Sequence, residues 1–293
     1  MKRSLILPMV LLTLALGVGS TQAATKKVVA VGDIACARGA STTDTTCRHR
    51  EVSDLTARLN PDSVWLLGDI QYPRGSLADF RAGFDERWNV HRNVWRPTPG
   101  NHEYETPGAA GYYEYFGDRA GPKRRGWYSF ELGDWHVVSL NSNCDVISCA
   151  FMSMQQRWLR RDLRSNDKKC VAAFWHHPRF SSGQHGANEM VSGLFRELRK
   201  ARVEFLLTGH DHGYERFAPM TERGKLGRNG VRQFVAGTGG GSMRRSNAPV
   251  AGSRYLKAET FGVLEMKLRS GRYDWRYIEE SRMSFDAGTA RCR

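Results

Sequence analysis

FLLTGHDHGYER, residues 205–216, is the stretch on which the reading of this chain turns. Phe205 to Thr208 is a short apolar run of the kind that forms a buried strand, and it stops at a glycine followed by two histidines one residue apart. Glycine at such an exit lets the backbone turn without a Cβ clash and pass close to a bound ion. Two imidazoles in His-x-His spacing can address neighbouring cations. A single strand ending in glycine and a polar residue is ordinary turn punctuation. The weight comes from its recurrence along the chain.

Working outward, Val28 to Val31 leads into Gly32-Asp33, and Val64 to Leu67 leads into Gly68-Asp69-Ile70-Gln71-Tyr72. Residues 94–99 lead into Gly100-Asn101-His102-Glu103, and residues 171–175 into His176-His177-Pro178. Five strand candidates thus end on polar donors, four of them through glycine. In open α/β sheets ligands bind beyond the carboxyl ends of the strands, so such ends can converge on one place. The donors are carboxylate, phenol, amide oxygen and imidazole, without thiolate. That mixture suits hard or borderline ions such as iron, manganese or zinc.

The remaining pattern predicts further strands at 127–131 and 135–140, joined at Gly133-Asp134, and at 231–236, 261–268 and 273–278. Helices are predicted at 51–59, at 155–163 with Ser153 as N-cap, and at 190–201. Strands mixed with helices and hairpins predict the α/β class, as two mixed sheets packed face to face with helices outside. No linker, repeat or low-complexity stretch interrupts residues 24–293, which are expected to form a single domain.

Residues 1–23 have the plan of a cleaved secretory signal peptide: Lys2 and Arg3, an apolar run from Leu5 to Val18, then small residues ending at Ala23. The run is short for a bilayer span, and no later segment is apolar for long enough to cross a membrane. The mature chain is therefore expected to be secreted or periplasmic. All six cysteines lie beyond residue 23, and an even count in an exported chain points to disulfides. Proximity favours Cys36–Cys47 and Cys144–Cys149, leaving Cys170–Cys292 to fasten the tail. A thiolate metal site is disfavoured because no CxxC pair is present. The formal charge of +14 could attract anionic substrates, nucleic acid or an anionic surface, or could be a solvated arginine-rich exterior. Charge does not separate these, and no obligatory protein partner is implied.

Taken in order, Gly32-Asp33, Gly68-Asp69-Ile70-Gln71-Tyr72, Gly100-Asn101-His102-Glu103, His176-His177-Pro178 and Gly209-His210-Asp211-His212 resemble the calcineurin-like metallophosphoesterases. Tyr72, three residues after Asp69, and the GHxHxYER pattern at 209–216 resemble the purple acid phosphatase branch. The resemblance spans roughly residues 28–278 and implies a four-layer α/β/β/α sandwich, the metallophosphoesterase fold, with a dinuclear site. Carried over by residue, Asp33, Tyr72 and His212 would bind one metal, Fe(3+). Asn101, His176 and His210 would bind a divalent ion, Fe, Zn or Mn, and Asp69 would bridge both. The chain departs from that branch at Ala35, where a glycine is usual, and an extra N-terminal β-domain of the kind seen in large plant relatives is not expected.

In the family the ligand precedes proline by two residues, which selects His176 and leaves His177 behind it, outside the ligand set. His102 and His185 are the candidates for handling protons and substrate, although His185 between Gly183 and Gly186 also reads as an idle loop histidine. His49, His91 and His136 have no such register and are read as structural or exposed. The expected activity is hydrolysis of phosphate monoesters by attack of metal-bound hydroxide. The alternatives are a phosphodiesterase or nucleotide-directed hydrolase with the same metals, and a non-catalytic phosphate-binding module.

Overall fold

The computed structural model describes residues 24–293, so the expected signal peptide at 1–23 lies outside the described residues. β1 (Lys26–Val31), β2 (Ser63–Leu66) and β3 (Trp95–Pro97) run parallel. Four further strands follow in the chain: β4 (Tyr128–Leu132), β5 (Trp135–Ser139), β6 (Cys170–Phe174) and β7 (Phe205–Thr208). They are joined by β8 (Gly213–Phe217), β9 (Arg232–Ala236), β10 (Ser253–Ala258), β11 (Gly262–Arg269), β12 (Arg272–Glu279) and β13 (Ser284–Arg291). One sheet has the order β13-β12-β11-β1-β2-β3 and the other β10-β8-β9-β7-β6-β5-β4. Both are mixed: β11 runs antiparallel to β1, while β5, β6, β7 and β9 are parallel.

Alternation along the strands decides what faces what. Val28 and Ala30 of β1 join Trp65, Phe174, Phe205 and Phe234 in a core between the sheets. Val29 and Val31 point the other way, onto Val52 and Leu55 of the helix His49–Leu59 and onto Phe80, Phe84 and Trp88. On the far side, Val138, Val171 and Leu206 meet Leu159 of the helix Met154–Ser165 and Leu194 and Leu198 of the helix Ser192–Lys200. The result is the predicted α/β/β/α sandwich. Trp65 fills the inter-sheet core, stacked on Phe174 at 5.1 Å. Truncating such a side chain to alanine costs about 3–5 kcal/mol.

The predicted strands form with ends shifted by a residue or two, and Ser153 caps its helix by accepting from the Gln156 amide at 3.2 Å. Three strands are additional to the prediction. β8 places Glu215 and Arg216 within a sheet, where Ser182 and Asp286 satisfy them; β10 and β13 are edge strands with little apolar alternation. Residues 77–124 are also richer in helical turns than the sequence suggests, and their aromatic rings cover the outer face of the first sheet. All three expected disulfides are formed. Cys170–Cys292 spans 122 residues, and on loop-closure grounds is worth about 4–5 kcal/mol. Among the described residues no helix is long and apolar enough to cross a membrane.

His91 and His136 are built into the framework, as read. His91 bonds Ser53 at 3.2 Å. His136, on β5, reaches Glu131 at 2.7 Å through Nδ1 and Asp162 at 2.8 Å through Nε2, tying the sheet to the helix Met154–Ser165. Burial opposes its charge, but the two carboxylates prevail and raise its pKa above the ordinary value. A raised folded-state pKa contributes stability that is full below the unfolded value, near ~6.5, and lost as pH rises through the folded value. His136→Gln is expected to destabilise the protein by about 1 kcal/mol at pH 5.5, with the gap narrowing at pH 9. Urea unfolding of both proteins at the two pH values checks this, and a gap that widens with pH contradicts it.

Candidate metal centre

The parallel strands deliver their C-terminal ends together. Asp33 follows β1, Asp69 follows β2, Asn101 follows β3, His176 follows β6, and His210 and His212 follow β7. Backbone bonds stitch these loops to one another: Asp33 donates to the Gly68 carbonyl at 3.1 Å and Gly209 to that of His176 at 3.0 Å. Asp33, Asp69 and His210 all have positive φ, at 61°, 45° and 72°. Non-glycine residues hold such conformations only where their surroundings enforce them. A Cβ on Gly68 would stand 2.6 Å from Nδ1 of His176, and one on Gly209 2.6 Å from Oδ2 of Asp33. The glycines that first drew attention are there because the donors crowd against the backbone.

All seven predicted donors come together. The Tyr72 hydroxyl lies 3.1 Å from Oδ1 of Asp33, 3.2 Å from Nε2 of His212 and 3.4 Å from Oδ2 of Asp69. Nε2 of His176 lies 3.3 Å from that same Asp69 oxygen, 3.2 Å from Oδ1 of Asn101 and 3.2 Å from Nδ1 of His210. Oδ2 of Asp69 therefore stands between the two sets of donors. Its Oδ1 accepts from the His102 amide at 2.9 Å, which fixes the carboxylate plane.

Proton placement follows from the outer partners. Nδ1 of His176 lies 2.7 Å from the Leu67 carbonyl, and Nδ1 of His212 lies 2.6 Å from that of Ser242. A carbonyl only accepts, so each Nδ1 carries the proton and each Nε2 turns a lone pair inward. His177 differs. Oγ of Ser142 accepts from the amides of His176 and His177, leaving its own proton for Nδ1 of His177 at 2.9 Å. The His177 proton then sits on Nε2, which suits a hydrogen-bond donor and not a ligand, even though its ring lies 4.5 Å from that of His210.

The buried charges of this arrangement work against one another. Burial alone would depress the pKa of His176, but Asp69 and Asp33 push it up to about 9. Burial and the neighbouring His176 hold His177 down at about 3 and His210 lower still. Burial and then Asp33 raise the Tyr72 hydroxyl well above its ordinary range. Without a cation the cluster draws a proton onto His176 and keeps the tyrosine neutral. Bound cations invert that logic, because they favour carboxylate, phenolate and neutral imidazole together. Lone pairs directed at shared points, in two overlapping sets, fit a pair of metal ions.

His102 and His185 flank the cluster from opposite sides. The His102 ring meets that of Tyr72 edge to face with centroids 4.4 Å apart, and its Nδ1 donates to the Pro73 carbonyl at 2.6 Å. His185 is exposed but lies 4.4 Å from the His210 ring, with its amide held by Asp211 at 2.8 Å. Two contributors were not singled out from sequence. Arg244 donates to Nε2 of His185 at 2.8 Å. Glu103, fully buried, accepts from the amides of Gly100 at 2.7 Å, Asp69 and Ile70 at 2.9 Å, and Gln71 at 3.3 Å. Glu103 closes the motif Gly100-Asn101-His102-Glu103, but nothing in a linear pattern tells that its acceptor atoms serve a loop some thirty residues earlier.

The sequence profile of calcineurin-like phosphoesterases matches residues 26–214. Purple acid phosphatase 18 of Arabidopsis thaliana is 28% identical over 229 residues, which cover 69% of this chain and 50% of that protein. The chain spans about half the length of this relative. A purple acid phosphatase from yellow lupin (Lupinus luteus) seeds superposes with a TM-score of 0.79 at 18% identity, over 92% of this chain and 54% of its own. A Plasmodium protein described as the anchor in the inner membrane complex superposes with a TM-score of 0.67 at 14% identity, over 92% and 89%. Likeness at these identities carries the fold alone.

Glu103 generates a test of how the centre is held. Glu103→Gln replaces an oxygen that accepts from amides with an NH2 that cannot, leaving buried donors unsatisfied. It is expected to lower unfolding stability by about 2–3 kcal/mol and to weaken metal retention. Denaturant titration and metal analysis after dialysis check this, and an unchanged midpoint contradicts it.

Proposed function

The chain belongs to the calcineurin-like phosphoesterase family, and on that premise we propose that it is a secreted, metal-dependent phosphatase acting on phosphate monoesters. The observation that carries this reading is the convergence of acceptor atoms around Oδ2 of Asp69, with Tyr72 3.4 Å away on one side and His176 3.3 Å away on the other. Two buried carboxylates beside inward imidazole lone pairs are costly unless positive charge compensates them. Three disulfides accord with an oxidising compartment, which supports secretion. Residues 24–293 are proposed to act as one domain.

We assign Asp33, Tyr72 and His212 to a ferric ion, Asn101, His176 and His210 to a divalent ion, and Asp69 to both. The first set adds two anionic oxygens to the shared carboxylate and matches a trivalent charge, while the second is neutral apart from that carboxylate. When bound, such ions supply Lewis acidity, lower the pKa of water and offset charge on phosphoryl oxygens.

The protein's own groups orient and protonate. The Nδ1 bond to the Pro73 carbonyl leaves Nε2 of His102 facing the cluster, 3.9 Å from Asp69. Arg244 occupies Nε2 of His185, so that ring offers its Nδ1–H. In its imidazolium form His102 would give the Nε2 proton to the departing alkoxide while Pro73 keeps the Nδ1–H, a contribution of about 10²–10⁴ in rate, and His185 would hold the substrate by a hydrogen bond from its Nδ1–H. His177 keeps its proton on Nε2 and stands behind the ligands as a donor.

Two outcomes are expected of the purified protein. With iron and a divalent metal it should hydrolyse a nitrophenyl phosphate monoester much faster than the corresponding diester; dominant diester turnover would replace this reading with a phosphodiesterase. The preparation should also carry a visible tyrosinate-to-iron absorption that Tyr72→Phe removes. A colourless, fully active enzyme holding two zinc or manganese ions overturns the iron assignment alone.

A further inference from the structure

Hydrophobic surface is distributed unevenly over this molecule. Nine large apolar side chains are exposed among the described residues, and four of them fall within residues 146–154. Val146 is 60% exposed, Phe151 68%, Met152 46% and Met154 60%. Val146 lies inside the small loop closed by Cys144–Cys149, so it is displayed on a covalently stiffened segment. An isolated exposed apolar residue needs no explanation, whereas a consecutive group marks a contact surface.

The helix Met154–Ser165 begins on this segment and adds charge of one sign. Met154, Arg157, Arg161 and Arg164 share its outward face by their spacing, and all four are exposed. The three arginines make no ion pair among the described residues. The acids of the helix region are committed elsewhere: Asp162 faces His136 and Ser129, and Glu197 binds Arg160 at 2.9 Å. Arg160 in turn stands 5.1 Å over the Phe151 ring. Asp145 is the exposed acid of the loop.

We propose that residues 146–164 form a docking surface for an anionic lipid bilayer, with Phe151, Met152 and Met154 entering the headgroup region while Arg157, Arg161 and Arg164 meet lipid phosphates. Bulky apolar tips beside unpaired cations are what interfacial binding requires, each alone being too weak. Arginine stems also tolerate this boundary, since their methylenes lie in apolar surroundings while the heads stay solvated. A polyanion such as nucleic acid would use the arginines and leave four exposed apolar side chains without a partner. The segment leaves the sheet at the end that carries the donor cluster, because Ser142, two residues before Cys144, holds His177. Docking there therefore brings that end of the sheet toward the membrane surface.

The test uses the mature chain with vesicles of equal phosphatidylglycerol and phosphatidylcholine, and with pure phosphatidylcholine vesicles, in cosedimentation. Binding is expected to the anionic vesicles and to fall steeply between 50 and 500 mM salt. Replacing Arg157, Arg161 and Arg164 together by Gln should reduce partitioning about 10²-fold, at roughly a factor of five per charge. Replacing Phe151 and Met154 by Ser should reduce it at least about tenfold at every salt concentration. Melting temperature and nitrophenyl phosphate turnover should stay at wild-type values in both variants, which separates loss of docking from loss of fold. Absence of sedimentation with anionic vesicles overturns the proposal. So does binding to heparin and to vesicles alike that depends on the arginines but is indifferent to Phe151 and Met154, which would identify a polyanion site.

Discussion

Acceptor atoms that face one another in a dry place need positive charge between them. Here the inward lone pairs of His176 and His212, the carboxylates of Asp33 and Asp69, the Asn101 amide oxygen and the Tyr72 hydroxyl meet within hydrogen-bonding distance, largely buried. The Leu67 and Ser242 carbonyls fix both tautomers from outside, so neither His176 nor His212 can relieve the conflict by turning its proton inward without becoming charged. The two sheets, whose parallel strands end side by side, exist in this form to impose that meeting. Left-handed backbone at Asp33, Asp69 and His210 is the conformational consequence.

A strained set of loops must be held from beneath, and Glu103 does this. It gathers four amides, three of them from the turn that carries Asp69, onto one carboxylate. Burial and the nearby Asp69 raise its pKa, while the amide donors oppose that rise. Positive charge at Asp69 relieves the repulsion between the two carboxylates. The support and the ions are thus coupled, each making the other's position less costly.

The donors and the layer order were legible because each decisive segment does two things in one short stretch: a buried strand, then glycine, then a polar residue that has no reason to sit there alone. Ser153 as a cap and the disulfides Cys36–Cys47 and Cys144–Cys149 were legible because local spacing constrains them, and Cys170–Cys292 followed as the remaining pair. Glu103 and Arg244 were not, since their partners lie 32–34 and 59 residues away and neither distance leaves a periodic trace. β8 was read as ligand motif and not as strand because Glu215 and Arg216 break alternation, and distant partners such as Ser182 and Asp286 make their place in the sheet tolerable. The helical turns at 77–124 escaped because aromatic packing, not helical periodicity, holds them.

The charged groups of the chain divide into parts that obey different physics. Charges at the centre are buried, so salt screens them little, and their effect is on protonation and ion binding. Arg157, Arg161 and Arg164 are exposed on a helix face outside the second sheet, where attraction fades within a Debye length of about 8 Å at physiological salt. Raising salt should therefore weaken recruitment to an anionic surface while leaving the centre's affinity for its ions nearly intact. That difference follows from depth alone: a charge inside the fold is set by its neighbours, and a charge on its surface is set by the solution.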